Sequence, residues 1–356
     1  MRQLTDLKKD FEWLREVDSQ ALQQSLIDLD KAFTAFFKKQ NDFPKFKKKT
    51  SKQSFRNPHG AKVELTDKKL FQPKFKEGIK IVIDREHKGE IRNTTISRTN
   101  TGKYFVSVLC ETQKEFPKKK PVKEKSTLGV DLGLNHFIIT SEGLKIENPK
   151  YLINSLQRIR VLQRRMRNKK RGSKNSKKAY KKIAVVYEKS TNQRNDFLQK
   201  LSSKLISENQ TLCFEDLNIS GMSATCKPKQ DENGKFLPNG QSAKSGLNKS
   251  ILDAGWGMFV STCKYKADWY GKNILQIPTF QPSTKICNKC GATNHTLTLA
   301  DREWTCEKCK CTHDRDVNAA INIKNYCLNS SLVKRGVPLE MLAIARSAKK
   351  EVNTTS

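Results

Sequence analysis

The sequence predicts an α+β protein of several domains, and three patterns along the chain carry this prediction. Residues 4–39 repeat apolar side chains near the 3.6-residue period of two amphipathic helices. Residues 63–111 change to short β-rich runs separated by turns that contain glycine, which is typical of a small β-barrel. From about residue 126, apolar strands and long helices share one stretch, which indicates an α/β domain.

A proline-rich, charged segment separates the barrel from the α/β domain. Residues 116–125 contain two prolines and five lysines and almost no core residues, so they mark a domain boundary. With 356 residues, the chain is long enough for two or three domains. We place domains at residues 1–60, 61–125 and 126–327, followed by a tail at residues 328–356 that carries no recognisable motif.

The charge of the chain predicts a polyanionic partner. There are 69 Lys and Arg residues against 36 Asp and Glu, a formal charge of +33, which attracts polyanions. A membrane surface is disfavoured, because no apolar run is long enough to span a bilayer and no basic amphipathic helix has a broad aromatic face. Nucleic acid is the stronger interpretation. We expect a cytoplasmic protein, because the chain opens without the pattern of a signal peptide.

Two long helices are expected at residues 151–170 and 176–209, and a basic stretch joins them. Between Arg164 and Lys182 there are eleven Lys and Arg residues and no acidic residue. A run of charge is often a solvated helix face, but this density favours contact with phosphates. The candidate contacts are Arg164, Arg165, Arg167, Lys170 and Arg171. Further on, residues 218–247 are expected to be disordered or to form a lid, and residues 250–270 to form one helix.

Two apolar strands each contain a carboxylate that needs an explanation. Asp131 lies in the first strand of a hairpin that covers residues 128–140, and Glu215 lies near the end of a strand at residues 211–217. A buried ionised carboxylate costs several kcal/mol or more unless a cation, a metal or hydrogen-bond donors compensate it. The alternative for Asp131 is an exposed position on an edge strand.

Four cysteines have the spacing of a zinc ribbon. Cys287 and Cys290 form one Cys-x-x-Cys pair, Cys306 and Cys309 form the other, and a 15-residue insert lies between them. Each pair brings two thiolates to one side of an ion, which suits tetrahedral coordination of Zn²⁺. In a reducing compartment such pairs indicate metal rather than disulfides. Cys311 and His313 are close enough to be alternative ligands.

A third acidic site follows the ribbon. Asp316 opens a helix whose apolar face begins at Val317, although Asp314 or Asp316 taken singly could be a helix cap. The order of Asp131, Glu215 and Asp316 on a strand, a later strand and a helix is the order of an RNase H-like fold of RuvC type. Three carboxylates at one place would hold two Mg²⁺ or Mn²⁺ ions. Such ions activate water and stabilise the leaving 3′ oxygen, which is nuclease chemistry.

The chain resembles the TnpB family, the OrfB-type proteins of insertion sequences, which are also similar to type V CRISPR effectors. The motifs that carry the resemblance are Gly129-Val-Asp-Leu-Gly133, Phe214-Glu-Asp-Leu217, Phe280-Gln-Pro-Ser-Thr-Lys285 and His313-Asp-Arg-Asp-Val-Asn-Ala-Ala320. The resemblance implies that Asp131, Glu215 and Asp316 are catalytic. It also implies that the four paired cysteines bind zinc, in a ribbon at about residues 284–312.

The resemblance further implies an RNA-guided, Mg²⁺-dependent DNA endonuclease that acts as a monomeric ribonucleoprotein, with a guide RNA from the transposon end. Residues 1–60 would belong to the helical recognition lobe, 61–125 to the wedge barrel and 126–327 to the RuvC domain. Family members begin with a further strand and several helices. We therefore expect this chain to start inside the recognition lobe.

Two other classes of protein are compatible with the motifs. One is a nucleic-acid-binding regulator, or an inactive truncated copy, that binds without cutting. The complete set of three acidic residues argues against this class, because a pure binder has no reason to bury three carboxylates together. The other is a transposase of the DDE type, which ends its acidic set with Glu. Asp316 disfavours that interpretation.

Overall fold

The computed structural model describes residues 2–48, 53–58, 64–66, 68–72, 74–279, 281–298 and 300–329. The chain divides into two compact units, Met1–Glu115 and Phe116–Ser356. The predicted tail is outside the described residues from position 330 onward, as is Phe280 of the motif before the first cysteine pair. The division of the chain at residues 60, 125 and 327 stays a prediction.

The first unit begins with the two predicted helices, α1 (Arg2–Asp10) and α2 (Ser19–Phe37), joined through a 3₁₀ turn at Glu12–Arg15. Asp18 caps α2, because its Oδ1 accepts hydrogen bonds from the backbone N–H of Gln20 and Ala21 at 2.7 and 3.4 Å. The prediction of two helices in residues 4–39 is therefore confirmed.

The described residues of the first unit then form six strands in two three-stranded antiparallel sheets, with orders β1-β5-β6 and β2-β3-β4. Strand pairing in this region confirms the β-rich prediction. The described pairings do not close into one barrel, and the barrel stays a prediction. The strands are β1 (Gln53–Pro58), β2 (Glu64–Thr66), β3 (Lys69–Gln72), β4 (Phe75–Lys80), β5 (Glu90–Arg98) and β6 (Tyr104–Glu111).

The second unit is a mixed α/β structure around a five-stranded sheet of order β13-β10-β7-β8-β9. Strands β13, β10 and β7 are parallel, and β8 and β9 are antiparallel to their neighbours. The predicted hairpin is confirmed as β7 and β8. The sheet strands are β7 (Thr127–Leu132), β8 (His136–Thr140), β9 (Lys145–Glu147), β10 (Thr211–Glu215) and β13 (Asn273–Ile277).

The helices and short hairpins of the second unit include both long helices expected from the sequence. Their bounds are α3 (Tyr151–Arg167), α4 (Lys174–Glu208), α5 (Ile219–Met222), β11 (Lys229–Gln230), β12 (Phe236–Leu237), α6 (Gln241–Ala254), α7 (Trp256–Trp269), β14 (Glu303–Thr305), β15 (Thr312–Asp314) and α8 (Arg315–Asn329).

Two expectations for residues 218–270 need correction. The segment at residues 218–247 contains α5, the β11–β12 hairpin and the start of α6, so it is not a structureless loop. The helix expected at residues 250–270 is two helices, α6 and α7, because Gly255 between them has φ of +73°, a left-handed conformation that ends α6. An apolar pattern that continues across such a glycine hides the break from sequence analysis.

The alternation of side chains along β7 and β10 sorts the sheet into two faces. Leu128 and Val130 of β7 join Leu212 and Phe214 of β10 in the main core, which α4, α6 and α7 cover. On the opposite face, Cys213 packs with residues of α8. The unit therefore has three layers, with α8 alone on the second face among the described helices that contact this sheet.

A glycine allows α8 to lie directly on β7. A Cβ placed on Gly129 would be 2.1 Å from the carbonyl oxygen of Ala320, closer than any side chain can approach. Gly129 is on the same face of the strand as Asp131, two residues further along. The close crossing of β7 and α8 therefore brings the helix N-terminus to the face on which Asp131 lies.

Candidate metal centres and nucleic-acid interface

Asp131 and Glu215 stand at the same end of two adjacent parallel strands. The register pairs Cys213 of β10 with Gly129 of β7. Glu215 lies two residues beyond Cys213, and Asp131 lies two residues beyond Gly129. Cys213 faces α8, so Glu215 faces it too. The carboxyl end of the parallel strands thus presents both acidic groups toward α8, as the sequence order predicted.

Asp314, not Asp316, caps α8. The Oδ1 of Asp314 accepts hydrogen bonds from the backbone N–H groups of Asp316 and Val317 at 3.1 and 2.9 Å. Lys145 donates to the other oxygen of Asp314 at 2.5 Å. The sequence left either residue as a possible cap. The structure assigns this role to Asp314 and leaves the Asp316 carboxylate to other contacts.

The charges of Glu215 and Asp316 both act on Asp131. Burial and the negative charges of Glu215 and Asp316 together raise the pKa of Asp131 from 3.8 to about 7, against the opposing effects of the Leu132 N–H and the Arg315 guanidinium. Burial also raises the pKa of Glu215, while a hydrogen bond from the Ser283 hydroxyl opposes that rise. A divalent cation would relieve both effects, which is the property expected of a site for Mg²⁺ or Mn²⁺.

Two arginines hold the third carboxylate. Arg315 donates to Asp316 Oδ1 from Nε and Nη2 at 3.1 and 3.0 Å, and Arg302 Nη1 lies 3.5 Å from Oδ2. The three carboxylates do not each offer an oxygen within 4.8 Å of the other two. Among the described residues, a single group of possible metal ligands meets this limit, and it consists of four cysteines. The two arginines satisfy Asp316, Arg315 from the same helix and Arg302 from the segment just before β14.

A pocket of about 490 Å³ adjoins Glu215. It lies at the carboxyl end of β10, which is where open α/β sheets place their ligands. Part of its wall comes from α5, in the segment expected to form a lid. The residues that line it are Glu215, Asp216, Leu217, Asn218, Gly221, Met222 and Thr279.

The four paired cysteines form a compact set of thiols. Their Sγ atoms all lie within 4.8 Å of one another. The Sγ of Cys287 is 3.6 Å from that of Cys309, and the Sγ of Cys290 is 3.6 Å from that of Cys306. A tetrahedral ion with metal–sulfur bonds of about 2.3 Å requires sulfur–sulfur distances of about 3.8 Å. The observed spacing fits a metal and is too long for a disulfide, whose S–S bond is about 2 Å.

Both cysteine pairs fold into the same local structure. Gly291 and Lys310 follow the second cysteine of each pair, and both have positive φ, +73° and +60°. This turn aims backbone N–H groups at sulfur: the N–H groups of Cys309 and Lys308, with hydrogen bonds from neighbouring cysteines, lower the pKa of Cys306 to about 7 against the effect of burial. Hydrogen bonds of this kind stabilise the thiolate, which is the form that binds metal.

The two alternative ligands lie outside the set of four. His313 is buried, and its Nε2 lies 3.1 Å from the Sγ of Cys287, where it can hydrogen-bond to the sulfur. The backbone of Cys311 joins the second turn, since its carbonyl accepts the N–H of Cys306. The geometry therefore places His313 and Cys311 around the four sulfurs rather than among them.

The basic stretch lies on the surface of the second unit. It covers the end of α3, the turn around Gly172 and the start of α4, and all eleven Lys and Arg side chains between Arg164 and Lys182 are exposed. The five predicted phosphate contacts, at positions 164, 165, 167, 170 and 171, lie in the α3 half of this surface. Such a surface provides charge for a nucleic-acid backbone without specifying a sequence.

Sequence analysis missed the side chains that surround the three acids. Ser283 belongs to the motif before the first cysteine pair, which predicted no role for it, and Arg302 lies inside the ribbon. Asn318 and Asn322 offered a weak signal, because two asparagines four residues apart on the buried side of a helix are unusual among apolar neighbours.

No described helix is long and apolar enough to span a bilayer.

Two family profiles match parts of the chain. The family profile OrfB_IS605, described as "Probable transposase", matches residues 107–225. A second profile, the Cas12f1-like TNB domain, matches residues 256–323.

Two curated relatives match most of the chain, and both carry the name "Putative RNA-guided DNA endonuclease", the second with the designation InsQ. The relative from Streptomyces pristinaespiralis is 35% identical over 338 residues, which is 94% of this chain and 78% of that protein. The relative from Escherichia coli K12 is 32% identical over 312 residues, 88% of this chain and 75% of that protein.

The profile and the two relatives together define the class of protein as that of the transposon-encoded OrfB-type proteins. The chain belongs to the TnpB family of OrfB-type proteins. Among solved structures, a Cas12f1–sgRNA–target DNA complex is 15% identical, with a TM-score of 0.48 over 82% of this chain and 68% of that chain.

Proposed function

We propose that this protein is an RNA-guided, metal-dependent DNA endonuclease. The observation that carries the proposal is the position of Asp131 and Glu215 at the ends of two adjacent parallel strands, where burial and the charges of Glu215 and Asp316 raise the pKa of Asp131 to about 7. A protein that only bound nucleic acid would gain nothing from holding three repelling carboxylates together. The names of the two curated relatives support the same activity.

In this proposal the three carboxylates hold two Mg²⁺ or Mn²⁺ ions, which supply the activation of water and the stabilisation of the leaving 3′ oxygen. Asp131 and Glu215 are fixed on adjacent strands of the core, so their relative position is set before any ligand arrives. Asp316 is positioned by the first turn of α8, which Asp314 caps.

The remaining predicted sites complete the proposal. Cys287, Cys290, Cys306 and Cys309 bind one structural Zn²⁺ in a ribbon, as their sulfur spacing supports. The basic stretch contacts the phosphates of the guide RNA or of the target DNA. The guide comes from the transposon end, and the active particle is a monomeric ribonucleoprotein. Sequencing the RNA that copurifies with the full chain tests this partner directly.

The decisive experiment is cleavage of a DNA that matches the copurified guide, in Mg²⁺, by the wild type and by Asp131→Ala. We expect the variant to bind the guide and the DNA but to lose cleavage, because the site would lose one of the three carboxylates that would hold the ions. Glu142→Gln, which changes an exposed carboxylate in the turn between β8 and β9, is the matched control and should cut normally. Cleavage by Asp131→Ala at the wild-type rate would contradict the assignment.

One observation favours a second candidate, a regulator that binds guided targets without cutting them. Arg302 and Arg315 already neutralise Asp316, and the three carboxylates are spaced more widely than a compact ligand set. The two candidates differ in Mn²⁺ binding. An endonuclease binds Mn²⁺ at Asp131 without nucleic acid present, whereas a regulator of this kind does not.

A further inference from the structure

A short segment between β13 and the first cysteine pair is fastened to α8 by two buried asparagines. The amide of Asn318 donates to the carbonyl of Ile286 at 2.7 Å and to that of Thr284 at 3.4 Å. Its Oδ1 accepts the backbone N–H of Asn288, which lies inside the first cysteine pair, at 3.0 Å. Asn318 thus ties the first turn of the ribbon to the helix that carries Asp316.

Asn322, one helical turn further along α8, holds the same segment closer to the sheet. Its amide donates to the carbonyls of Ser283 and Ile286, both at 2.7 Å. Ser283 itself is buried, with 5% of its surface exposed. Because the backbone of Ser283 is anchored and the residue is buried, the fold restricts the conformations that its side chain can adopt.

The side chain of Ser283 points at the proposed metal site. Its hydroxyl donates to Oε1 of Glu215 at 3.3 Å, across 68 residues of sequence. Glu215 is half-buried, and this donor opposes the rise in its pKa that burial causes. A continuous set of hydrogen bonds therefore runs from the first cysteine pair, through Asn318 and Asn322, to Ser283 and to a carboxylate of the acidic cluster.

We propose that Ser283 is a positioning residue of the nuclease site, which orients Glu215 for metal binding. Asp316, Asn318 and Asn322 all lie on α8. The two asparagines hydrogen-bond the segment that contains Ser283, so they fix the position of Ser283 relative to Asp316. The inference rests on the proposed function and deepens it, since it makes the ribbon segment part of the support of the carboxylates. Mutation of a group that orients a metal ligand typically weakens metal affinity by roughly 10- to 100-fold.

The test is the affinity of the full-length, zinc-loaded protein for Mn²⁺ without nucleic acid, measured by electron paramagnetic resonance of free Mn²⁺. We expect Ser283→Ala to weaken binding by about tenfold, the lower end of the effect of an orienting partner, because the hydrogen bond is long. Ser283→Thr keeps the hydroxyl and should restore most of the affinity. Thr284→Ala, which removes the next hydroxyl of the same segment, is the matched control and should bind as the wild type does.

The zinc content and the melting temperature of each variant separate positioning from structure. Both should stay at their wild-type values in Ser283→Ala. A lower melting temperature or a loss of zinc would assign Ser283 a purely structural role and overturn the proposal, as would unchanged Mn²⁺ affinity. Asp131→Ala identifies the source of a negative result. If Asp131→Ala loses Mn²⁺ and Ser283→Ala does not, the inference fails alone; if the wild type binds no Mn²⁺, the proposed function fails with it.

Discussion

The raised pKa of Asp131 predicts that the carboxylate destabilises the metal-free protein above neutral pH. Its pKa in the folded protein is about 7, against an ordinary value of 3.8. Between these values the folded state binds a proton that the unfolded state has released, so stability falls as the pH rises through this window. Above about pH 7 the whole cost is present, and it vanishes below about pH 4, where both states are protonated.

The magnitude follows from the size of the shift. Three pH units correspond to about 4 kcal/mol for a group fully removed from water. Asp131 is half-buried, and screening by solvent reduces the expected cost to about 2 kcal/mol. Asp131→Asn keeps the shape without the charge. The variant should therefore gain stability over the wild type by about 1 to 2 kcal/mol as the pH rises from about 5 to about 8.

The assay is urea denaturation of the zinc-loaded protein without added Mg²⁺ at several pH values, for the wild type, Asp131→Asn and the control Glu142→Gln. The difference between two proteins cancels the titration of every group that does not interact with Asp131. Added Mg²⁺ should stabilise the wild type above pH 7 and leave Asp131→Asn unchanged, because metal binds only the carboxylate. A difference in free energy of unfolding that stays constant across this range would refute the burial of Asp131 beside two like charges.

Three further predictions concern the packing, the ribbon and the basic stretch. Gly129→Ala should destabilise the protein by about 3 kcal/mol in urea denaturation, since the new methyl meets the Ala320 carbonyl; Gly246→Ala, in an open position on α6, should not. The double variant Cys306→Ser/Cys311→Ser should release zinc in elemental analysis and unfold the ribbon, and full zinc occupancy would contradict the four-cysteine site. Neutralising the arginines at positions 164, 165, 167 and 171 should flatten the plot of log affinity against log salt concentration. The slope should change by about 0.7 to 0.9 for each phosphate that the protein no longer binds. An unaltered slope would show that the basic stretch is only a solvated surface.

The positions of the acidic residues were predictable because they interrupt patterns that are otherwise regular. Asp131 and Glu215 stand in short apolar runs, and strand periodicity and parallel pairing then place them on one face at one edge. The choice between Asp314 and Asp316 was not predictable. Both are in reach of the first turn of α8, and the contact of Lys145 with Asp314, from a strand far away in sequence, helps to decide which one caps the helix.

The contacts around the three carboxylates could not be predicted from the sequence, for a different reason. The Ser283 hydroxyl meets Glu215 across 68 residues, and no periodic pattern links the two positions. Likewise, the break at Gly255 is invisible in the apolar pattern, because α6 and α7 both contribute to one core through Ile251 and Phe259. Patterns of hydrophobicity report which face is buried, whereas polar contacts over long sequence distances depend on the finished topology.

The place of the ribbon in the chain gives its proposed zinc ion a role beyond local folding. The ribbon is inserted between β13, which pairs with the strand of Glu215, and α8, which carries Asp316. Its first cysteine pair is hydrogen-bonded to Asn318, and Arg302, just before β14, contacts the carboxylate of Asp316. In the proposed function, Asp316 is a metal ligand. Loss of the metal would free both connections at once, because the ribbon folds through its metal. Removal of zinc should therefore weaken Mn²⁺ binding at the acidic cluster even though no cysteine touches it, and equal Mn²⁺ affinity in the zinc-loaded and zinc-depleted proteins would show that the two centres are independent.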